Sequence, residues 1–256
     1  MIKYYFERLK SIIGLSIQLA KANFKLRNEG SFLGLLWYLL EPLLLFLILI
    51  NLRGFFGEGV DNYGLYLLLG LIMYSFFSGL SLKSTNLIAS NATLVKSVKI
   101  RYESLIISGV FESIYSHAFE IVLFIGFMIY FKVQLIWILT YPLIFVFYIL
   151  FTTGVSFILA TVGVFINDLT NVWKVVSKLL FFATPIFYFV EKGSLIYKFN
   201  ILNPLYYFIT VSRELIIYGR VPELWMIGTL IIISLSTFFI GILLFNKYKD
   251  RFAEMV

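Results

Sequence analysis

Residues 33–52 constrain this chain more than any other part of its sequence. This run of twenty residues is mostly leucine and isoleucine, and Glu41 is its single charged side chain. An α-helix rises about 1.5 Å per residue, so twenty residues reach about 30 Å, the thickness of a bilayer's hydrocarbon core. The run therefore predicts a helix that crosses a membrane.

The composition of the whole chain also indicates a membrane protein. Of the 256 residues, 61% are hydrophobic and 14% are charged, and the mean hydropathy is +0.93. A soluble domain is typically about 45–50% apolar and about 25% charged, so this chain has too little polar surface to face water on all sides. Its apolar runs are too long for the alternating strands of a barrel, which predicts an all-α integral membrane protein.

Five more apolar runs extend this prediction to a six-span bundle. The further spans are expected at residues 63–82, 105–131, 135–166, 172–190 and 224–245. Residues 2–28 carry apolar side chains every three or four positions among basic ones, which is typical of an amphipathic helix in the membrane interface. A shorter apolar stretch, broken by Arg213 and Glu214, predicts a re-entrant outer hairpin at residues 195–222 between spans five and six. The chain is thus predicted to be one domain, made of an interfacial helix (1–30), the bundle (31–246) and a tail (247–256).

The lysines and arginines predict the orientation of the bundle. With both termini on the cytoplasmic side, fifteen basic residues lie inside and six lie outside. Cytoplasmic segments of membrane proteins are enriched in such residues, so we expect both ends of the chain in the cytoplasm. The net charge of +7 is explained in the same way, and no nucleic-acid partner is expected.

The sequence lacks the usual signals of a cofactor or catalytic site. It has no cysteine and a single histidine, which leaves little to bind a transition metal. It has no GxxxxGK[ST] motif, so no phosphate-binding loop of that kind is expected. We therefore expect no metal site, no cofactor and no ATP site in this chain, and a role in transport rather than catalysis.

Four ionisable residues are predicted to lie at membrane depth: Glu41, Glu112, His117 and Glu120. A charge at the centre of a bilayer costs at least about 2.5–3.5 kcal/mol on insertion scales, so each should face a partner, a cavity or a subunit interface. Glu112 and Glu120 are eight residues apart and share one helix face. Two interpretations remain open: a proton or cation relay, and a structural role, which would be pairing between helices or a carboxyl near a water-filled vestibule.

Aromatic residues make up 19% of the chain, and several of them are predicted to lie within the spans. Their faces can stack on sugar rings, so a carbohydrate pathway is one interpretation and lipid-facing packing is the other. The candidate channel residues are Trp37, Tyr38, Tyr74, Phe187 and Tyr188. The loop 84–104 has apolar residues at helical spacing, which predicts a short surface helix that binds a soluble partner; a solvated connector is the alternative.

The ordered set of short motifs resembles the membrane subunit of type-2 ABC exporters, most closely the permease of the O-antigen polysaccharide exporter (Wzm-type). The motifs are the run 33–42 ending in Glu41-Pro42, then Asn167-Asp168-Leu169, Thr184-Pro185-Ile186-Phe187-Tyr188, and Asn203-Pro204-Leu205-Tyr206-Tyr207 before Arg213. The family often has arginine at the position of Asn167, and a Phe-Pro pair near Val98-Lys99-Ile100.

This resemblance implies a homodimer in the bacterial inner membrane, with ATP and magnesium on a separate ATP-binding subunit. It implies a lipid-linked polysaccharide as the substrate. The residues that it implies for contact with the ATP-binding subunit are Asn91, Leu94, Lys96, Lys99, Arg101 and Tyr102. Those implied for the outer gate are Asn203, Pro204, Tyr207 and Arg213, and those implied for the lipid headgroup are Lys21, Lys25 and Arg27.

Two other functions remain open from the sequence. One is a type-2 exporter of teichoic acid or of a small amphiphile such as a drug, since an aromatic-lined pathway would serve either. The other is an ion-coupled secondary transporter that uses Glu112 and Glu120.

Overall fold

The chain is described by a computed structural model that covers residues 2–28, 37–57, 59–97 and 101–255. Over these residues the backbone is helical, with short connections and no strand. The α-helices are α1 (Ile2–Asn28), α2 (Trp37–Ile50), α3 (Arg53–Phe56), α4 (Tyr63–Ser84), α5 (Leu87–Ser90), α6 (Ala92–Ser97), α7 (Tyr102–Tyr130), α8 (Tyr141–Phe165), α9 (Leu169–Ala183), α10 (Leu195–Ile201), α11 (Pro204–Ile216), α12 (Leu224–Tyr248) and α13 (Phe252–Met255). Two 3₁₀ turns precede α8 (Leu135–Thr140) and α13 (Lys249–Arg251).

Four helical segments of the described residues are long and apolar enough to cross a membrane, namely Tyr63–Ser84, Tyr102–Tyr130, Leu135–Phe165 and Leu224–Met255. A shorter apolar helix covers Leu39–Ile50. The protein is therefore a multi-pass membrane protein. The helices α4, α7 and α12 begin and end within three residues of the predicted spans, because uninterrupted apolar runs of this length have few other ways to satisfy their backbone in a bilayer.

The predicted fifth span, 172–190, does not continue as a helix to its end. The helix α9 stops at Ala183, and residues 184–190 form an irregular segment. Pro185 explains the stop, since proline lacks an N–H and disfavours the helical conformation of the residue before it. Thr184 accordingly has an extended backbone, with φ −94° and ψ 137°.

The helix α4 is the centre of the bundle and is buried along most of its length. The most extensive contact between two helices is that of α8 with α12. Their backbones approach closely at Gly154 and Gly241, where a Cβ on Gly154 would lie 2.5 Å from the backbone of Thr237. Small residues of this kind allow close packing of membrane helices.

The buried apolar residues form two clusters. The larger cluster surrounds α4 and includes residues of α7, α8, α11 and α12. The smaller one joins α5 to one end of α7, α8 and α12; its buried members are Leu87, Ile88, Leu105, Ile106, Phe157, Ala160, Val164, Phe245 and Phe252.

The basic helix α1 packs against α7 rather than standing alone. Ser16 donates a hydrogen bond to the carbonyl of Ser104 (3.2 Å), and the rings of Phe24 and Tyr115 lie 5.9 Å apart. From the first contact to the second, the residue number rises in both helices, so α1 and α7 run in roughly the same direction.

Candidate transport site and outer gate

A cavity of about 1010 Å³ opens between α2, α4, α7 and α9. Its lining combines apolar groups with hydroxyls and charges of both signs; the polar and aromatic members are Trp37, Glu41, Ser75, Phe76, Lys83, Glu112, Ser113, Ser116, His117, Glu120, Thr170 and Lys174. All four ionisable residues that the sequence predicts at membrane depth therefore line one cavity.

Two helices are joined by an ion pair at this cavity. Lys83, in the last turn of α4, donates a hydrogen bond to the carboxylate of Glu112 on α7. Pairing between helices was one of the two interpretations of Glu112, and the geometry agrees with it. Lys83 lies one residue beyond the predicted end of this span and still belongs to α4.

His117 and Glu120 form a second polar group at the inner wall of the cavity. His117 Nδ1 lies 3.0 Å from Glu120 Oε2, and His117 Nε2 lies 2.6 Å from the hydroxyl of Tyr141 on α8. All three side chains are buried. The imidazole also stacks on Phe145, with ring centroids 4.5 Å apart. The result is a continuous hydrogen-bonded chain between α7 and α8.

The candidate channel residues fall into different environments. Trp37 is 55% exposed and lines the cavity, and the side chain of Tyr38 lies outside the described ones. Tyr74 is buried, and its hydroxyl donates to the carbonyl of Ser177 on α9. Phe187 is buried, whereas Tyr188 is half-buried and donates to the carbonyl of Ala183 (3.1 Å). Among the members of this set whose side chains are described, only Trp37 lines the large cavity.

The irregular segment 184–190 is held by side chains that bind its carbonyls. Tyr63 and Tyr66, at the start of α4, donate to the carbonyls of Phe187 (2.7 Å) and Tyr188 (2.9 Å). Arg213 of α11 donates to the preceding carbonyl of Ile186 (2.8 Å). Together with the bond from Arg213 to Pro185, four consecutive carbonyls receive a side-chain donor.

Arg213 is the centre of this arrangement. It is 2% exposed, and its Nη1 atom lies 2.6 Å from the carbonyl oxygen of Pro185. Its Nε and Nη2 atoms donate to the carbonyl of Tyr66 at 3.1 and 2.8 Å. The guanidinium carbon lies 3.3 Å from the centre of the Tyr66 ring. Gly70 leaves the room for it, since a Cβ there would lie 2.5 Å from Nη2. Arg213 thus joins α11, α4 and the irregular segment.

The other candidate gate residues organise the turn between α10 and α11. The Asn203 side chain accepts a hydrogen bond from the backbone N–H of Leu205 (3.0 Å) and donates to the hydroxyl of Thr184 (2.8 Å). Pro204 occupies the first turn of α11, where a missing N–H costs least. Tyr207 is buried and donates to the carbonyl of Ile201 (2.8 Å). Asn203 and Arg213 therefore contact the same irregular segment.

The predicted surface helix in the loop 84–104 is two short helices, α5 and α6, with Asn91 between them. The Asn91 side chain donates to the carbonyl of Leu87 (2.8 Å). Leu94 and Lys96 are exposed on α6. Lys99 lies outside the described residues. Arg101 and Tyr102 begin α7, and both are half-buried.

The candidate headgroup residues lie near the end of α1. Lys21 and Lys25 are exposed, and the side chain of Arg27 lies outside the described ones. Among the described residues, no group of three or more His, Cys, Asp or Glu side chains is arranged to hold a metal ion.

Sequence reasoning identified Arg213 but missed the residues that bind around it. Tyr63, Tyr66 and Gly70 carry no signal that distinguishes them from ordinary residues of an apolar helix. The close approach at Gly154 and Gly241 had a detectable signal, since Thr237 and Gly241 are small residues four positions apart on an apolar helix.

Residues 15–217 match the family described as "ABC-2 type transporter". The chain belongs to this family. Among curated relatives, the O-antigen export system permease protein RfbA of Klebsiella pneumoniae is 28% identical in an alignment 252 positions long that covers 96% of each chain. The RfbA protein of Myxococcus xanthus is 24% identical over 95% of both chains. The polysialic acid transport protein KpsM of Escherichia coli is 28% identical over 85% of this chain and 87% of KpsM.

Proposed function

We propose that this ABC-2 type transporter is the transmembrane subunit of an ATP-driven exporter of lipid-linked O-antigen polysaccharide in a bacterial inner membrane. The observation that carries the proposal is similarity over nearly the full length of both chains to permeases named for O-antigen export. The KpsM relative is named for transport of polysialic acid, another long glycan. A polysaccharide is therefore favoured over a small drug or amphiphile.

The bundle is proposed to have six spans, formed by α2, α4, α7, α8 with its preceding 3₁₀ turn, α9 with residues 184–190, and α12. The fifteen residues of α9 reach only about 22 Å at 1.5 Å per residue. The irregular segment that follows would complete the crossing. Non-helical backbone at membrane depth is tolerated where protein groups form hydrogen bonds with its N–H and C=O groups. The side chains of Tyr63, Tyr66 and Arg213 donate such bonds to the carbonyls of this segment.

The helix pair α10–α11 is proposed to be the re-entrant outer gate, with both termini of the chain in the cytoplasm. Asn203 and Arg213 tie this pair to residues 184–190, so a movement of α9 would reach the gate through that segment. Trp37 at the large cavity remains a candidate contact for the glycan. The exposed lysines Lys21 and Lys25 of α1 are candidates for the anionic headgroup.

The energy is proposed to come from ATP and magnesium on a separate subunit that binds the exposed side of α5 and α6. A second copy of this chain would cover the exposed apolar face of α9, which is formed by Val172, Val175, Leu179 and Phe182. ATP hydrolysis would displace α5 and α6 and open a pathway between the two copies.

The test is co-expression of a tagged chain with the ATP-binding protein encoded beside it, in a strain that lacks its own copy of this chain. The proposal expects the two proteins to purify together and surface glycan to return only with a hydrolysis-competent ATP-binding protein. Surface glycan that is unchanged by deletion of the chain, together with altered drug tolerance, would contradict the polysaccharide assignment.

A second candidate is an ion-coupled transporter, favoured by the buried chain Tyr141–His117–Glu120 beside the cavity. Collapse of the proton gradient at constant ATP distinguishes the two functions. Export that continues supports the ATP-driven exporter, whereas export that stops, and is also lost in Glu120→Gln, supports ion coupling.

A further inference from the structure

We propose that the C-terminal tail, residues 249–255, is a brace that holds α5 and α6 in position against the transmembrane bundle. Its residues would be positioning residues for the coupling of ATP hydrolysis to transport, so this functional part rests on the proposed function. A charged terminal segment of a membrane protein is usually a solvated end with few contacts. The tail of this chain is different in three respects.

First, an aromatic side chain of the tail is fully enclosed. Phe252 is 0% exposed. Its ring lies 5.2 Å from that of Phe245 on α12, in an edge-to-face arrangement, and 5.7 Å from that of Tyr102 at the start of α7. The 3₁₀ turn Lys249–Arg251 turns the chain after α12, so that Phe252 reaches back to the bundle.

Second, the buried cluster that contains Phe252 also contains residues of the loop 84–104. Leu87 and Ile88 of α5 belong to the same buried cluster as Phe252, Phe245 and Leu105. Ile88 is 1% exposed, although the next two residues, Ala89 and Ser90, are exposed. The short helix α13 also contacts α6. Four-residue helices such as α5 are not stable alone, so this shared cluster determines where α5 lies.

Third, an ion pair attaches the tail to α7, the helix that follows the loop 84–104. Lys249 Nζ lies 2.8 Å from Glu103 Oε1, in the first turn of α7, and 2.7 Å from Asn246 Oδ1. Both partners of the ion pair are mostly buried. The tail therefore shares a buried cluster with α5, contacts α6, and is paired with α7 through charge, so it is connected to the loop 84–104 at more than one point.

The absence of cysteine from the chain allows a direct test. A single cysteine, Ile88→Cys, is introduced into the complete exporter in lipid nanodiscs and reacted with a water-soluble maleimide. We expect slow labelling in the otherwise unchanged chain and labelling faster by severalfold or more when Phe252→Ala is added. Met255→Ala is the matched control, because Met255 lies on the same short helix and is 54% exposed.

General unfolding is distinguished from release of the brace by a second variant and a second measurement. Lys249→Ala should raise the labelling rate of Ile88→Cys, and Lys249→Arg should restore slow labelling, because arginine can still pair with Glu103. The melting temperature in detergent is recorded for each variant. Equal labelling rates in Phe252→Ala and Met255→Ala overturn the brace, as does faster labelling that appears only in variants with a collapsed melting transition.

The functional part has its own measurement, the amount of glycan exported per ATP hydrolysed. We expect this ratio to fall severalfold in Phe252→Ala and to be unchanged in Met255→Ala. Faster labelling with an unchanged ratio overturns the role of the tail in coupling. If no glycan is exported even by the unchanged complex, the proposed function fails, whereas the labelling result still decides whether the tail is a brace.

Discussion

Replacement of Arg213 by leucine is the sharpest test of the outer part of this structure. The substitution removes every side-chain donor to the carbonyls of Pro185 and Ile186 and to that of Tyr66. The Tyr66 carbonyl keeps its bond within α4, whereas the two carbonyls of Pro185 and Ile186 lie outside any helix. A buried carbonyl left without a donor costs about 1–3 kcal/mol, so these two give about 2–6 kcal/mol. The buried cation itself carries a desolvation penalty of several kcal/mol, and its removal offsets much of this cost, so the net destabilisation should be about 1–3 kcal/mol.

The loss should be local to the irregular segment before it is global. A single cysteine in place of Phe189, which is exposed between α9 and α10, would report on this segment through a spin label. We expect broader mobility of the label and a lower melting temperature in Arg213→Leu. Arg213→Lys should be intermediate, because an ammonium group cannot reproduce the planar fork or stack on Tyr66. The matched control is Arg220→Leu, which removes an exposed cation from a small pocket that Arg213 also lines.

Gly70→Ala should disturb the same contact by steric overlap, with Arg213 itself unchanged. The added methyl group would overlap Arg213 Nη2 without removing any charge. It should therefore produce the same mobile label as Arg213→Leu, whereas Gly79→Ala on the same helix meets nothing within 4 Å and should be silent. An Arg213→Leu protein with the melting temperature and label mobility of the unchanged chain would refute the claim that this side chain holds the segment.

Three further predictions concern other parts of the chain. Gly154→Leu should separate α8 from α12 and reduce the yield of folded protein in membranes, whereas Gly228→Leu, which meets open space, should not; expression and size-exclusion profiles decide this. Leu94→Pro should leave membrane insertion intact but lower glycan export per ATP hydrolysed, because proline disfavours the helical conformation of Thr93 before it and so distorts the first turn of α6; normal export in that variant would count against a coupling role. Hydrogen bonds from Lys192 (2.6 Å) and from the indole N–H of Trp225 lower the pKa of the Glu223 carboxyl below its ordinary 4.5. The contact with Lys192 should therefore stabilise the folded state above pH 4.5 and be lost as the pH falls through the lowered pKa. Hydrogen exchange near Lys192 should show this pH dependence in the unchanged chain and not in Glu223→Gln.

The bundle was predictable from the sequence wherever a long apolar run decides the conformation. The helices α4, α7 and α12 follow the predicted spans closely, because hydrocarbon leaves a backbone few alternatives to a helix. The prediction was wrong at the end of the fifth span, where Pro185 outweighs the apolar character of residues 184–190. Hydropathy indicates whether a segment can be buried in a membrane. A single proline can end a helix whatever the hydropathy of its neighbours.

The polar contacts were less predictable than the helices. Glu112 was recognised as a residue that needs a partner, but the choice of Lys83 depends on which faces of α4 and α7 meet. Arg213 was recognised as unusual, and its partners are backbone carbonyls, which every residue possesses. The sequence shows which buried polar groups need a hydrogen-bond or ion-pair partner. Which residue becomes that partner depends on how the helices pack.

The helix α4 connects the irregular segment 184–190 at one end of the bundle to α5 at the other. Its first turns bind the irregular segment through Tyr63 and Tyr66, and its last turn binds α7 through Lys83. Beyond Ser84 the chain passes within two residues into α5, whose side chains Leu87 and Ile88 are buried with Phe252. The helix α4 contains Ser78-Gly79 but no proline, and it is buried along most of its length, so we expect little of a displacement of α5 to be absorbed by a kink. The displacement should instead move α4 as a unit, and the carbonyl bonds of Tyr63 and Tyr66 are the contacts through which residues 184–190 would follow.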